Sequence, residues 1–314
     1  MPTQAELYKD LQRATAPETL RDLALQLLSK TSSRRYLDEC LRILQSARVI
    51  ASLNESHRSP LREKCLGYFA DGKRDKGGLL REGLTRLLVH IEQPDDADIY
   101  QLGVETYYLQ PVDDVAQNLR AVALAGLAPI DPPLACLYAT RFLGERYTSV
   151  FNGEPAMTAI DVLVASGQRL PIYQFLLRGG VEMAQSGRGE LTGKAFESLD
   201  HDFPIPLYQD LIEQYQALDQ PTATMGIINW IIDGRVEALY QRLAELILAT
   251  RDADLRRYGL VMMAAARDEA LGERLLQMAK LARADDLPLF IEAVEICHLP
   301  ARGEALANLR RRSG

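Results

Sequence analysis

The apolar residues along most of this chain recur at steps of three and four positions, a spacing that places them on one face of an α-helix. Val115, Leu119, Val122 and Gly126, for example, fall on one side of a helix over residues 115–127. The same pattern predicts helices over 132–145, 155–167, 171–179, 190–199, 205–217, 222–232, 235–250, 253–266, 269–282, 286–298 and 301–312. Prolines stand at predicted helix starts and glycines at predicted ends. No segment alternates apolar and polar residues between hairpin turns, so we expect almost no strand.

One kind of helix recurs at a regular interval over the second two-thirds of the chain. Each copy opens with an acidic residue or a proline and carries small residues near its middle. The copies begin near Asp114, Glu154, Glu190, Pro221, Asp254 and Asp286, at intervals of 31–40 residues, with a second helix between successive copies. A helix pair cannot bury its apolar face alone, whereas stacked pairs share a continuous core. We therefore predict a repeat region over 111–314.

The first 110 residues carry the same helical periodicity, but their helices pair less regularly. The predicted helices cover 5–15, 17–29, 34–53, 60–70, 77–91 and 96–109. We therefore expect residues 1–110 to form a divergent helical part that is continuous with the repeats that follow it.

Two copies of the recurring helix resemble the second helix of a HEAT repeat. Their sequences are DDVAQNLRAVALAGL over 113–127 and DADLRRYGL over 252–260. Each has an acidic turn, an apolar residue, an arginine (Arg120 or Arg256) and a small residue three positions later. The intervening copies keep the small residue as Ala159, Ala195 and Gly226 but replace the arginine with Ala156, Thr192 and Ala223. The resemblance implies an all-α fold: a right-handed superhelical α-solenoid of HEAT-like helix pairs.

Composition places the chain among folded soluble proteins, with 47% apolar and 25% charged residues. No apolar stretch approaches the roughly 18 residues of a membrane helix, and residues 1–10 lack the pattern of a secretory signal. The four cysteines lie at positions 40, 65, 136 and 297, without the spacing of a metal or redox motif. We expect reduced, partly buried thiols and a cytoplasmic location.

The charge is distributed unevenly along the chain. The overall net charge of −7 excludes a generally basic nucleic-acid binder, but residues 1–90 carry +5 and residues 91–314 carry −12. The candidate residues for binding an anionic partner are Arg34, Arg35, Arg42, Arg58, Arg62, Lys73, Arg74 and Lys76. A phosphate-binding groove needs several such cations to converge. The alternative is that these residues form solvated helix faces.

The motifs that could carry catalysis or bind a cofactor are incomplete. Residues 187–194 contain Gly-Lys, but the spacing is wrong for a phosphate-binding loop and Ala195 replaces the required Ser or Thr. The four histidines are not spaced as metal ligands. The cluster Asp200-His201-Asp202 has acid–base chemistry but no identifiable nucleophile, so we interpret it as a polar helix end. We therefore assign no catalytic, cofactor or metal-binding residue.

The leading functional hypothesis is a non-catalytic scaffold or adaptor that binds another protein on the concave surface of the solenoid. Nucleic-acid binding is the first alternative, because some HEAT-like proteins resemble DNA glycosylases that hold the duplex backbone. That function would use the basic N-terminal segment. An enzyme that resembles the HEAT-like chromophore lyases is the second alternative. No residue of this sequence identifies either one.

Overall fold

The computed structural model describes residues 2–110, 114–201 and 203–313. Over these residues the fold is all-helical, as predicted, with twenty α-helices and five short 3-10 turns. The one contact of β type among them is the isolated bridge between Leu109 and Asp114. None of the described helices is both long and apolar enough to cross a bilayer.

The chain forms two compact units, Met1–Gly167 and Gln168–Gly314. The helices of unit 1 are α1 (Gln4–Arg13), α2 (Pro17–Lys30), α3 (Arg34–Leu44), α4 (Ala47–Ile50), α5 (Arg58–Ala70), α6 (Leu79–Ile91), α7 (Ala97–Val104), α8 (Gln117–Leu127), α9 (Pro132–Leu143) and α10 (Ala156–Ala165). Its 3-10 turns are Glu55–His57, Gly72–Arg74 and Pro94–Asp96. The predicted boundary near residue 110 falls between α7 and α8 and stays a prediction.

Unit 2 contains the other ten helices. They are α11 (Leu170–Arg178), α12 (Gly180–Gln185), α13 (Gly189–Glu197), α14 (Ile205–Gln216), α15 (Pro221–Asp233), α16 (Tyr240–Ala249), α17 (Ala253–Ala265), α18 (Glu269–Leu281), α19 (Leu287–Ile296) and α20 (Arg302–Ser313). Two 3-10 turns, Glu237–Leu239 and Ala284–Asp286, precede α16 and α19. The short helix α12 was not predicted, because Gly179 and Gly180 indicate a helix end rather than a helix start.

Two predicted helices of unit 1 differ in extent from the structure. The predicted helix over 34–53 is divided into α3 and α4. The division occurs at Ser46, whose hydroxyl donates to the carbonyl of Ile43 (2.6 Å). This side-chain bond competes with a continuous helix. The predicted helix over 96–109 already ends at Val104.

The helix predicted over 115–127 begins two residues later than expected, at Gln117. The buried carboxylate of Asp114 accepts hydrogen bonds from the N–H groups of Ala116 (3.1 Å) and Tyr108 (2.7 Å). These bonds hold residues 114–116 in a turn before the helix. Asp113, which was also expected near the helix N-terminus, lies outside the described residues.

The principal packing within each unit joins a helix to neighbours one to three positions away along the chain. In unit 2, α13, α15, α17 and α19 pack one after another, and α14, α16, α18 and α20 do the same beside them. The first of these rows begins at residues 189, 221, 253 and 287, close to the predicted starts. The core is therefore a band of apolar side chains between successive helices.

The closest helix approach in this core joins α13 to α15. A Cβ atom on Gly226 would lie 2.3 Å from the carbonyl oxygen of Gly193, and one on Gly193 would lie 2.6 Å from the carbonyl oxygen of Thr222. The two backbones meet because neither glycine carries a side chain. The small residue that recurs at the middle of each copy thus has a direct packing role here.

Candidate functional site

The arginine of the first HEAT-like segment is fully buried in unit 1. Arg120 forms an ion pair with Asp114, which is also fully buried. The same guanidinium donates to the carbonyl oxygens of Thr106 (3.2 Å) and Tyr147 (3.3 Å) and lies 4.2 Å from the ring centre of Tyr107. Arg120 therefore ties the backbone that follows α7 to the backbone that follows α9. Its charge is neutralised within the fold, so its role is structural.

The arginine of the second segment lies in unit 2 and makes a related set of bonds. Arg256 donates to the carbonyl oxygen of Thr250 (2.5 Å) and to the carboxylate of Asp286 (2.5 Å). Thr250 precedes α17, and Asp286 precedes α19. This arginine therefore joins two successive copies of the repeated helix.

A groove lies between α16 and α18, beside the Arg256–Asp286 ion pair. Its cavity volume is about 380 Å³. The lining residues are Gln241, Ala244, Glu245, Leu248, Arg256, Arg274, Gln277, Met278, Leu281, Ala282, Arg283 and Asp286. Leu281 is 85% exposed and Leu248 is 45% exposed, so the groove presents apolar surface to solvent. The sequence does not predict this groove, because Leu248 and Leu281 fit the apolar periodicity of buried core residues.

The charged groups at this groove are divided between paired and unpaired side chains. Glu245 accepts hydrogen bonds from Gln241 (2.7 Å) and Arg242 (3.2 Å), and these two bonds lower the pKa of its carboxyl group. Arg274 bonds Gln277 (3.2 Å). Arg283 is exposed and makes no ion pair within the described part of the chain. The groove therefore carries an excess of positive charge over an apolar floor.

Two of the predicted anion-binding residues are neutralised by carboxylates. Arg58 binds both carboxylate oxygens of Asp96, at 2.9 Å each, and Asp96 is fully buried. Arg62 binds Asp96 (2.9 Å) and Asp98 (2.6 Å). These bonds raise the pKa of both guanidiniums. They join α5 to the start of α7, which gives Arg58 and Arg62 a structural role.

Three further predicted residues lie on α3 with partners of their own. Arg34 pairs with Asp38 (2.8 Å), and Arg42 pairs with Glu39 (2.7 Å). Arg35 lies over the ring of Tyr8, 5.5 Å from its centre. All three arginines are exposed, so these contacts hold them only weakly.

The last three predicted residues, Lys73, Arg74 and Lys76, lie together between α5 and α6. They are exposed, and none makes an ion pair within the described residues. Buried Asp75 anchors the segment: its carboxylate accepts from the N–H groups of Leu80 (3.0 Å) and Arg81 (3.0 Å) at the start of α6. These three cations are therefore exposed within one short segment and unpaired in the described part of the chain, whereas Arg58 and Arg62 are paired with carboxylates.

The other candidate motifs are explained by packing. His201 stacks on Trp230, with ring centres 5.4 Å apart, and Asp202 lies outside the described residues. Cys40, Cys65 and Cys297 are buried and Cys136 is half-buried. Burial raises the pKa of Cys40 and Cys65 to about 12. Among the described residues, no group of three or more His, Cys, Asp or Glu is arranged to hold a metal ion.

Comparisons with protein-family models, with curated proteins and with solved structures give no match to this chain.

Proposed function

We propose that this protein is a non-catalytic scaffold that binds a segment of another protein in the groove between α16 and α18. We further propose that its helix pairs form a right-handed superhelical α-solenoid of the HEAT type. The two rows of helices in unit 2, with starts 32 to 34 residues apart in the first row, support this arrangement. Stacked repeats of this kind offer extended surfaces that suit protein partners.

The observation that carries the proposed function is the exposure of Leu281 in this groove. Leu281 is 85% exposed beside an open cavity, so a partner that covers its side chain removes apolar surface from water. This burial stabilises the complex. The Arg256–Asp286 ion pair holds one wall of the groove in place. A partner therefore binds without the entropy cost of ordering that wall. Arg274 and Arg283 favour a partner segment that combines apolar and acidic residues.

The basic segment of unit 1 gives weaker support to nucleic-acid binding. Arg58 and Arg62 are used by Asp96 and Asp98, which leaves the exposed arginines of α3 and the segment that contains Lys73, Arg74 and Lys76. A phosphate backbone requires cations along an extended track, and each contact adds to the salt dependence. The protein partner is therefore the function that the geometry favours.

The test is affinity capture from native lysate with the full chain and two variants, each with and without nuclease. Leu281→Glu places a charge in the groove. Leu137→Glu is the matched control, because Leu137 is 65% exposed on α9, outside the groove. We expect the wild type and Leu137→Glu to retain the same protein after nuclease treatment and Leu281→Glu to lose it. Equal retention by both variants, or loss on nuclease treatment, would contradict the proposal.

A further inference from the structure

A second, smaller cavity lies in unit 1, between the end of α2, one face of α5 and the turn that follows α5. Its volume is about 170 Å³. Lys64, Gly67 and Tyr68 share a face of α5, because they are three or four positions apart. Arg74, in the turn Gly72–Arg74, also lines the cavity, together with Ser29, Pro60 and Glu63.

Two cations line this cavity. Lys64 is half-buried and its ammonium group donates to the carbonyl oxygen of Thr31 (2.6 Å), which leaves two of its three N–H groups for other acceptors. Burial and the charge of Arg74 both lower the pKa of Lys64. Arg74 is held next to buried Asp75, which is itself anchored at the start of α6. The bond to Thr31 holds the Lys64 ammonium in place, and the exposed Arg74 side chain is close enough to repel it. An anion that contacts both cations would relieve this repulsion.

The floor of the cavity offers a neutral donor and open space. Tyr68 is 5% exposed, and its hydroxyl makes no hydrogen bond within the described part of the chain. A Cβ atom on Gly67 would meet no atom within 4 Å, so the glycine leaves the floor of the cavity open. A ligand oxygen can therefore approach α5 at this point.

We infer that this cavity binds a phosphate monoester, with Lys64 and Arg74 as its charge partners and the Tyr68 hydroxyl as a donor. A monoester carries up to two negative charges above a second pKa of about 6, which matches the two cations. The exposed carboxylate of Glu63 also lines the cavity, so it opposes every anion there, and a ligand with several phosphates more than a single monoester. The cations do not continue along α5 as a polyanion requires, because Asp96 and Asp98 occupy Arg58 and Arg62.

The experiment is calorimetric titration of the full chain at low salt with O-phosphoserine and, separately, with inorganic phosphate. We expect Lys64→Gln and Arg74→Gln each to weaken binding by about tenfold or more, because each removes a charge-assisted hydrogen bond. Lys73→Gln and Lys76→Gln are matched controls: they remove the same charge from the same segment but do not line the cavity. We expect these controls to change binding by less than about twofold.

A steric variant tests the cavity without changing its charge. Gly67→Met fills the open floor and replaces a helix glycine with a better helix former, so the variant should fold and lose binding. If Lys64→Gln does not fold, Gly67→Met and Arg74→Gln decide the question. Binding should also weaken as the pH falls below about 6, where the dianion of the monoester gains a proton and keeps only one negative charge.

The outcomes separate the possible sources of the phosphate. Binding of O-phosphoserine supports a monoester on a larger molecule, and binding of inorganic phosphate alone supports the same site with a free ligand. Equal losses in all four glutamine variants would overturn the inference, and so would unchanged binding in Gly67→Met or no binding by the wild type. Preference for a single-stranded oligonucleotide with a steep salt dependence would also overturn it. Leu281→Glu should bind O-phosphoserine like the wild type, so this test is independent of the proposed function.

Discussion

Arg120 in unit 1 and Arg256 in unit 2 occupy the same position of the HEAT-like segment, but they are anchored in different ways. Arg120 pairs with Asp114, six residues earlier in its own copy, and both side chains are fully buried. Arg256 pairs with Asp286, thirty residues later at the start of the next copy, and its side chain is 20% exposed. The ion pair of Arg120 therefore lies within one copy, whereas the ion pair of Arg256 joins two successive copies.

The difference in burial determines how much each arginine matters to folding. A buried charge that loses its partner has no water to replace it, whereas a partly exposed charge recovers part of its hydration. We therefore expect the Arg120 network to be the more sensitive of the two to substitution.

The largest effect is expected for Arg120→Met. The substitution leaves buried Asp114 without its cation and should lower the free energy of unfolding of unit 1 by about 3–5 kcal/mol. Urea unfolding followed by circular dichroism at pH 7 measures the loss. Adding Asp114→Asn removes the buried charge as well, so the double variant should recover part of the stability. A double variant less stable than Arg120→Met would contradict the buried-charge explanation.

Two of the copies that lack an arginine, α13 and α15, pack with their backbones in contact, which predicts the next largest effect. Gly226→Ala should destabilise unit 2 by about 1–3 kcal/mol, because its Cβ meets the backbone of Gly193 and the helices must separate. The fluorescence of Trp230, the single tryptophan, reports the transition from α15 itself. Gly67→Ala is the control in open space and should stabilise unit 1 by about 0.5–1 kcal/mol. Equal effects of the two substitutions would contradict the role of Gly226.

Arg256→Met should have a smaller effect than Arg120→Met. We expect a loss of about 1–2 kcal/mol in unit 2, because Asp286 is 14% exposed and keeps access to water when its partner is removed. The loss should shrink at high salt, since ions screen a partly exposed pair. Urea unfolding at low and high salt measures both quantities. A loss as large as that of Arg120→Met would show that burial does not determine the order.

The sequence predicts the helices well because their apolar periodicity and their Pro and Gly boundaries are local signals. The sequence does not predict which carboxylate forms an ion pair with each arginine. Asp114 is near Arg120 in sequence, but Asp286 reaches Arg256 only through the packing of α17 on α19. The eight predicted basic residues illustrate the same limit, since Asp96 neutralises two of them from 34 and 38 residues away. Lys64 is not among these eight residues, because the cavity that it lines with Arg74 is formed by the folded chain and is not visible in the sequence.

The smallest expected effect concerns Tyr107, which lies against Arg120. Burial, and next a hydrogen bond to Glu145, raise the pKa of the Tyr107 hydroxyl above its usual value of 10, and Arg120 opposes this rise. The unfolded chain therefore loses this proton first. The associated stability is complete below pH 10 and is lost as the pH rises toward the raised pKa of the folded state.

Tyr107→Phe should remove that part of the pH dependence. Between pH 10 and pH 11, the free energy of unfolding should fall further in the wild type than in Tyr107→Phe. The difference between the two decreases should be less than about 1 kcal/mol. The effect is small because the ring is partly exposed and solvent screens its charge. Urea unfolding of both proteins at pH 8, 10 and 11 measures the difference in slope. Parallel curves would mean that Tyr107 titrates alike in the folded and unfolded chains, which would contradict the raised pKa of its hydroxyl in the fold.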